Sequence, residues 1–271
     1  MLLGVFMRKF RFSFKVIKIF MKNQIQNKTY IILDVFNMIS RCLIVFFLYG
    51  YVFSINGGSI NGADYVSSLW SMFIYFCIMT FNIRKIYKNI MDEVRSGNVE
   101  MFINRPVNYL FLNFCKAIGQ GLFSFLIISF IGSILMCIFV GIPVLNMSVF
   151  IPTFIISFIF GGILSLILYS IVGVLAFFIQ DVRPIYWIVD KFVMILGGSY
   201  LPVSMFPSFL KWMAYLSPFG AINFSTSCVL PFWENEYIYR IGLQVLWIIV
   251  FYFVLSYLYR KALRKSMVNG G

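Results

Sequence analysis

Long apolar runs constrain this chain more than any other feature of its sequence. A helix needs about 20 mostly apolar residues to cross the hydrocarbon core of a bilayer. Six runs approach or exceed that length: Tyr30–Phe53, Tyr65–Ile83, Ala117–Ile142, Val149–Ile179, Pro184–Tyr200 and Ile241–Tyr259. The sequence therefore predicts an all-α, polytopic integral membrane protein with six transmembrane helices, forming a single membrane domain over residues 1–271. The fifth run is the shortest, and we expect it to be broken or partly re-entrant.

Composition and charge agree with a membrane protein and argue against a nucleic-acid-binding one. Only 11% of the residues are charged and 61% are hydrophobic, whereas soluble domains carry about 25% charged residues. The net charge of +13 lies beside the apolar runs and not on a solvated face, so we expect the lipid bilayer, and no nucleic acid, as the chain's environment. The absence of histidine removes the commonest general base and metal ligand.

The distribution of Lys and Arg predicts the orientation in the membrane. The N-terminal segment, the second and fourth connections and the C-terminal tail hold 18 of the 22 basic residues, and the opposite side holds only Lys211 and Arg240. Because positive charge is retained in the cytoplasm, both termini are predicted to be cytoplasmic. Frequent Ile, Asn, Lys and Phe are typical of a low-GC bacterium, which makes the plasma membrane the expected location.

The N-terminal segment, residues 1–29, has the pattern of an amphipathic helix. Its apolar residues at helical spacing are Phe14, Ile17, Phe20 and Met21, and the lysines of the other face are Lys15, Lys18 and Lys22. Such a helix lies in the membrane interface with its lysines near anionic headgroups. A plain membrane anchor is the alternative interpretation.

The second connection, residues 84–116, contains a candidate docking element. Gly97 is expected to end the helix that leaves the membrane, and Pro106 to stop a short helix that begins at Asn98. On that helix the apolar side chains share one face by their spacing: Val99, Phe102 and Ile103. Either a soluble partner grips this face, or the segment is an ordinary cytoplasmic loop.

Charges within the apolar runs are unusual, because a charged side chain in hydrocarbon is costly. Arg41 lies about 16 Å beyond Tyr30 at 1.5 Å per residue, and Asp190 and Lys191 lie within the fifth run. We predict that Arg41 pairs with Asp190, across packed helices or between two copies. The pair could be purely structural, or it could belong to a transport pathway.

Three stretches resemble one family of membrane proteins. The second connection, DEVRSGNVEMFINRPVNYLFLNFCKAIG, the punctuated stretch LPVSMFPSFLKWMAYLSPF and the basic end YRKALRKSMVNGG are similar to those of type-2 ABC exporter permeases, in particular the viologen-exporter-like subfamily. The resemblance covers essentially the whole chain.

The resemblance implies a mechanism and a set of partners. Two permease subunits, identical or paralogous, would assemble with two cytoplasmic ABC ATPase subunits, which would bind the ATP and Mg. This chain has no G-x-x-x-x-G-K-[ST] stretch, so we expect it not to be an enzyme by itself and to bind no cofactor. On the resemblance, the ATPase-coupling residues are Glu93, Arg95, Gly97, Val99, Glu100, Phe102 and Ile103.

The resemblance also implies an outer gate between the fifth and sixth runs. Residues 201–235 would form an extracellular or re-entrant segment of short helices that cap the pathway, although a simpler interfacial loop remains possible. The residues that mark this segment are Pro202, Pro207, Trp212 and Pro218. The expected function is to form the pathway by which an amphipathic compound, lipid, peptide or drug is exported.

Two other classes of membrane protein agree less well with the sequence than an ABC permease does. A single-chain, ion-coupled secondary transporter would need buried acids and repeated halves, and Asp190 is the only acid deep enough. An integral membrane enzyme would need clustered catalytic groups near one face, and the acids here are scattered. The ABC permease is the preferred prediction, with the secondary transporter as its alternative.

Overall fold

The fold is an almost entirely helical bundle. The computed structural model describes residues 2–26, 28–99, 101, 108–199 and 201–269. The α-helices of these ranges are α1 (Leu2–Gln26), α2 (Lys28–Ile55), α3 (Tyr65–Thr80), α4 (Ile86–Arg95), α5 (Tyr109–Phe139), α6 (Met147–Val174), α7 (Arg183–Leu196), α8 (Ser208–Leu216), α9 (Pro218–Ala221) and α10 (Trp233–Asn269). Shorter 3-10 turns lie at Ile83–Lys85, Leu175–Phe177, Val203–Met205 and Phe224–Val229.

Five helical stretches in the described part of the chain are long and apolar enough to cross a membrane. They are Ile31–Ile55, Tyr65–Arg95, Tyr109–Phe139, Met147–Phe177 and Trp233–Lys265. Each contains most or all of one predicted run, so the structure agrees with five of the six predicted spans.

The fifth predicted run gives a shorter element. α7 has 14 residues, or about 21 Å at 1.5 Å per residue, which is less than the roughly 30 Å hydrocarbon core. It ends at Gly197, and Gly198 has a φ of +75°, a left-handed conformation that glycine adopts without strain. The predicted run Pro184–Tyr200 is therefore too long at its C-terminal end.

A tight hairpin joins α2 to α3. The two-residue strands β1 (Ser59–Ile60) and β2 (Ala63–Asp64) pair antiparallel. Asn61 and Gly62 between them both have positive φ, as a two-residue Asn-Gly hairpin requires. The Asp64 side chain then accepts a hydrogen bond from the backbone N–H of Ser67 and caps α3. This turn sets α2 and α3 side by side.

Helix α1 packs along the first half of α5 and is the predicted N-terminal helix. A Cβ at Gly119 of α5 would lie 2.7 Å from the backbone oxygen of Ile17, so the two backbones are in close contact there. Val16 of α1 is buried, whereas Phe14 and the predicted lysine face are exposed. The apolar stripe is therefore centred nearer to Val16 and Ile17 than to Phe14.

The chain between α7 and α10 enters the bundle. Residues 220–230, which include the 3-10 turn Phe224–Val229, are all buried. Their apolar side chains pack with α6, α7 and α10, through Leu164, Val193 and Trp233 among others. Irregular backbone thus lies inside the helical bundle next to the end of α7.

Candidate functional site

The second membrane-spanning stretch is broken near its middle. α3 ends at Thr80, and Asn82 has a φ of +58°, which is uncommon for a residue other than glycine. A 3-10 turn, Ile83–Lys85, then leads into α4. The break places Arg84 at the junction of α3 and α4, where its side chain enters the protein instead of the surrounding membrane.

Arg84 forms a buried charged cluster with two other helices. Its Nη1 lies 2.7 Å from Oδ1 of Asp190 on α7, and the side chains are only 17% and 5% exposed. The hydroxyl of Tyr169, on α6, donates to the same oxygen at 2.8 Å. Buried charges are tolerated when they are paired and hydrogen-bonded. The cluster therefore links the break to α6 and α7 at one point.

This cluster overturns the predicted pairing of Arg41 with Asp190. Asp190 is buried and already bonded to Arg84 and Tyr169, so it is not available to Arg41 of the same chain or at a seam between copies. Arg41 and Lys191 are exposed. Lys191 lies against the ring of Trp187, 5.8 Å from its centroid.

A small cavity adjoins the Arg84 cluster. Its volume is about 230 Å³. Its walls come from the break, from α6 and from the buried segment after α9, and its polar lining residues are Asn82, Arg84, Ser165, Tyr169, Asn223 and Ser225. The cavity thus lies between the hinge-like junction and the irregular backbone near the end of α7.

Glu93 holds α4 against the start of α5. The ammonium of Lys116 donates to Glu93 Oε1 at 2.6 Å. The Tyr109 hydroxyl donates to Oε2 at 2.6 Å, and the Asn113 amide donates to the same atom at 3.3 Å. We call these four residues the Glu93 clamp. Because α4 and α5 flank residues 96–108 within the second connection, the clamp fixes the two ends of that stretch to each other.

Arg95 fixes the end of α4 to a different loop. Its Nε donates to the backbone oxygen of Gln180 at 2.6 Å, and its Nη2 lies 3.6 Å from Asp181 Oδ2. Arg183 donates to both oxygens of Asp181. The hydrogen bonds from Arg183, with the nearby charge of Arg95, hold the pKa of Asp181 well below its usual value. The second and fourth connections are thereby joined on one side of the bundle.

The predicted coupling residues are only partly described. Gly97 has a φ of +71°, consistent with the expected helix end. Val99 is 5% exposed and belongs to the same core cluster as Tyr109 and Ala262. The expectation of an exposed apolar face is therefore wrong at Val99, because this side chain packs in the chain's own core. Glu100, Phe102 and Ile103 lie outside the described residues.

The residues predicted to mark the outer gate lie in a run of short helices. Pro202 precedes the turn Val203–Met205, Pro207 precedes α8, and Pro218 is the first residue of α9. Trp212, on α8, is exposed. The prolines therefore stand at helix starts, where their fixed φ and missing N–H are tolerated.

Side chains of α10 hold this run of short helices in place. Arg240 is 2% exposed, is bonded to Glu236, and lies over the ring of Tyr215 at 4.0 Å from its centroid. Gln244 donates from Nε2 to the backbone oxygens of Ala221 and Ser157, at 2.8 and 3.1 Å. These contacts join α8, α9, α6 and α10 into one unit.

Sequence reasoning missed Arg84, Tyr169 and Lys116. The apolar run ends at Ile83, so the sequence places Arg84 in a loop. Tyr169 lies within an apolar run, and nothing in its neighbours predicts a polar contact. One signal was available: Ile83, Ile86, Ile90 and Val94 follow each other at helical spacing, which predicts a helix that continues past the charge.

Together these features define a multi-pass helical membrane protein whose buried polar clusters connect its loops to its spans. The model of the ABC-2 family transporter proteins matches residues 35–270, and the chain belongs to that family. A comparison with curated proteins gives no match. The chain is thus a permease subunit of an ABC transporter, and its family implies a partner ATPase subunit.

Proposed function

We propose that this chain is the membrane-spanning subunit of an ATP-driven exporter and that a separate cytoplasmic ATPase moves it through the second connection. The observation that carries the proposal is the Glu93 clamp, which closes both ends of that connection on each other. A force applied between residues 96 and 108 would therefore reach α4 and α5 together. ATP and Mg would be bound by the ATPase alone, and the bond cleavage would take place there.

A chain of contacts would carry this force towards the opposite side. α4 stacks on α7 through the rings of Tyr87 and Tyr186, whose centroids are 3.9 Å apart. Just before the same end of α4, the Arg84–Asp190 pair joins the break to α7 as well. Since α7 runs into Gly197 and the buried segment, a tilt of α4 would displace the base of the outer segment.

The direction of transport and the assembly are parts of the same proposal. Two copies of this chain, or this chain and a paralogue, would enclose the pathway in a bacterial plasma membrane, with two ATPase subunits on the side of the basic loops. α7 and residues 217–230, of which 220–230 are buried, would together form a re-entrant sixth crossing, since α7 alone is about 21 Å long. The cargo would be an amphipathic compound, lipid, peptide or drug.

One observation argues against the ion-coupled alternative. Secondary transporters use buried acids that gain and lose a cation. Asp190 has the required depth, but its carboxylate is already bonded to Arg84 and Tyr169. An ion gradient alone would therefore have no free carboxylate at that position to act on.

Site-specific photo-crosslinking tests the coupling. A benzoylphenylalanine at Met101, which is 59% exposed beside Gly97, should crosslink to the co-purified ATPase subunit in native membranes. The matched control is the same probe at Phe209, an exposed residue of α8, which should give no ATPase adduct. Equal crosslinking at both positions, or none at Met101, would contradict the proposed interface.

Reconstitution tests the energy source. Proteoliposomes with the permease and its ATPase should move fluorescent amphipaths only when ATP and Mg are supplied on the ATPase side. The permease alone, given a proton or sodium gradient, should move nothing. Gradient-driven transport by the isolated chain would refute the ATP-driven mechanism in favour of the secondary transporter.

A further inference from the structure

Arg41 is an exposed cation at the middle of a membrane-spanning helix. It lies ten residues after Ile31 in the stretch Ile31–Ile55, or about 15 Å along the axis, and the hydrocarbon core is about 30 Å thick. Within the described ranges no carboxylate forms an ion pair with it. Counted from Ile31, the Cα of Arg41 thus lies near the middle of the hydrocarbon core.

Most side chains around Arg41 on α2 are apolar, and the polar ones are the amide of Asn37 and, one further turn away, the half-buried carboxylate of Asp34. The exposed neighbours at helical spacing are Asn37, Ile44 and Leu48. The amide of Asn37 donates to the backbone oxygen of Leu33 at 2.9 Å. A charged residue inside the bilayer almost always faces a polar space or a counter-charge. The charge of Arg41 is therefore unsuited to lipid hydrocarbon, and this residue requires a close anionic partner.

A second identical copy does not supply that anion. Two copies inserted in the same direction are related by an axis along the membrane normal, so every residue keeps its depth. Asp34 lies seven residues before Arg41, about 10 Å nearer one surface, and it forms no ion pair with Arg41 but interacts more strongly with Lys85 and Ser124. Asp190 is bound by Arg84 and Tyr169. The other described acids lie near helix ends or in loops. The partner copy would bring a second arginine to the same level.

We infer that Arg41 binds the acidic group of the transported molecule, so that the cargo is an anionic amphipath. The inference rests on the proposed function, since it assigns a wall of the pathway to this face of α2. One guanidinium, one amide and adjoining apolar side chains match a molecule with a single negative group and a hydrocarbon body. The guanidinium offers charge-assisted hydrogen bonds to a carboxylate, sulfonate or phosphate.

Lys191 differs from Arg41 in its contacts. It is also exposed, but its ammonium lies 3.8 Å from the sulfur of Met194 and 5.8 Å from the Trp187 ring centroid. Cation–π contact compensates part of the loss of hydration. The selectivity is accordingly assigned to Arg41.

The test compares two fluorescent probes with the same acyl chain, one with a sulfonate and one with a trimethylammonium headgroup. Permease–ATPase proteoliposomes should move the sulfonate faster in an ATP-dependent manner. In Arg41→Gln the sulfonate flux should fall about tenfold or more, as expected for a lost charge-assisted hydrogen bond, while trimethylammonium flux stays unchanged. Arg41→Lys should keep most of the preference. Arg264→Gln, which removes an exposed charge near the end of α10, is the matched control and should change neither flux.

Several outcomes would overturn the inference. Wild-type flux that ignores the headgroup, an equal loss of both fluxes in Arg41→Gln, or an unchanged sulfonate flux in that variant each contradict it. Loss of the second permease subunit from the Arg41→Gln complex, seen by native mass spectrometry, would instead assign the counter-charge to a paralogue. ATP-driven flux without headgroup preference refutes the inference alone, whereas absence of any ATP-dependent flux refutes the proposed function as well.

Discussion

The buried pair of Arg84 and Asp190 leads to the strongest stability prediction. Asp190→Leu removes the counter-charge of a guanidinium whose side chain is 17% exposed. Removing one partner of a buried ion pair destabilises by about 3–5 kcal/mol. At roughly 2–4 °C per kcal/mol for a domain of this size, the melting temperature should fall by on the order of 10 °C.

The double variant distinguishes a counter-charge effect from a packing effect. Replacing a whole buried pair by apolar residues is often neutral, so Arg84→Leu combined with Asp190→Leu should recover most of the loss. The assay is thermal unfolding in detergent, followed by labelling of the buried Cys77 and Cys228 thiols.

The control is a more exposed pair in the same protein. Arg95 and Asp181 are about one-third exposed and 3.6 Å apart, and exposed ion pairs contribute little to stability because solvent screens them. Asp181→Asn should therefore shift the melting temperature far less than Asp190→Leu does. If the Arg84 and Asp190 single-variant losses simply add in the double variant, the two side chains do not act as a pair and the reasoning fails.

Three further predictions concern the connection and the packing. Glu93→Gln should keep the fold but lower transport per ATP hydrolysed, since a neutral amide binds Lys116 more weakly; unchanged coupling in parallel flux and ATPase assays would contradict the clamp. Gly121→Ala should reduce the yield of folded protein in size-exclusion chromatography, because the new methyl group would collide with the backbone carbonyl of Phe81. Gly242→Ala is its control, because a Cβ there would contact no other atom. The pKa of Asp181 is lowered on folding, so its contribution to stability is complete above its ordinary pKa of about 3.9 and is lost as the pH falls through the folded value. The small difference in stability between the wild type and Asp181→Asn should therefore be constant near neutral pH and shrink only below about pH 4, and a difference that grows on acidification would refute the assignment.

The apolar runs predicted the long helices well, because length and hydropathy alone decide whether a segment suits a bilayer. The run Tyr30–Phe53 lies within α2, and Val149–Ile179 overlaps α6 closely. The edges were less certain, since helices continue into charged flanks where hydropathy falls. α4 illustrates this: it extends the second span to Arg95 although its sequence is mixed.

Partners of charged residues could not be predicted from spacing. The predictions of a loop at Arg84 and of a pair between Arg41 and Asp190 are wrong, because sequence separation does not determine which helices pack together. The left-handed residue Asn82 turns Arg84 inward, and that turn depends on tertiary packing. Val99 shows the same limit, since an apolar residue in a polar segment suits a partner's groove and the chain's own core equally well.

α10 is one continuous helix that runs along the whole bundle without a break. Its 37 residues extend about 55 Å at 1.5 Å per residue, from the outer contacts of Arg240 and Gln244 to the basic tail. The span made of α3 and α4 has, by contrast, a joint at Asn82. On the proposed mechanism, a swing of α4 about that joint would leave the short helices that Arg240 and Gln244 hold at a constant distance along the α10 axis, so that these helices would move sideways and not along the axis.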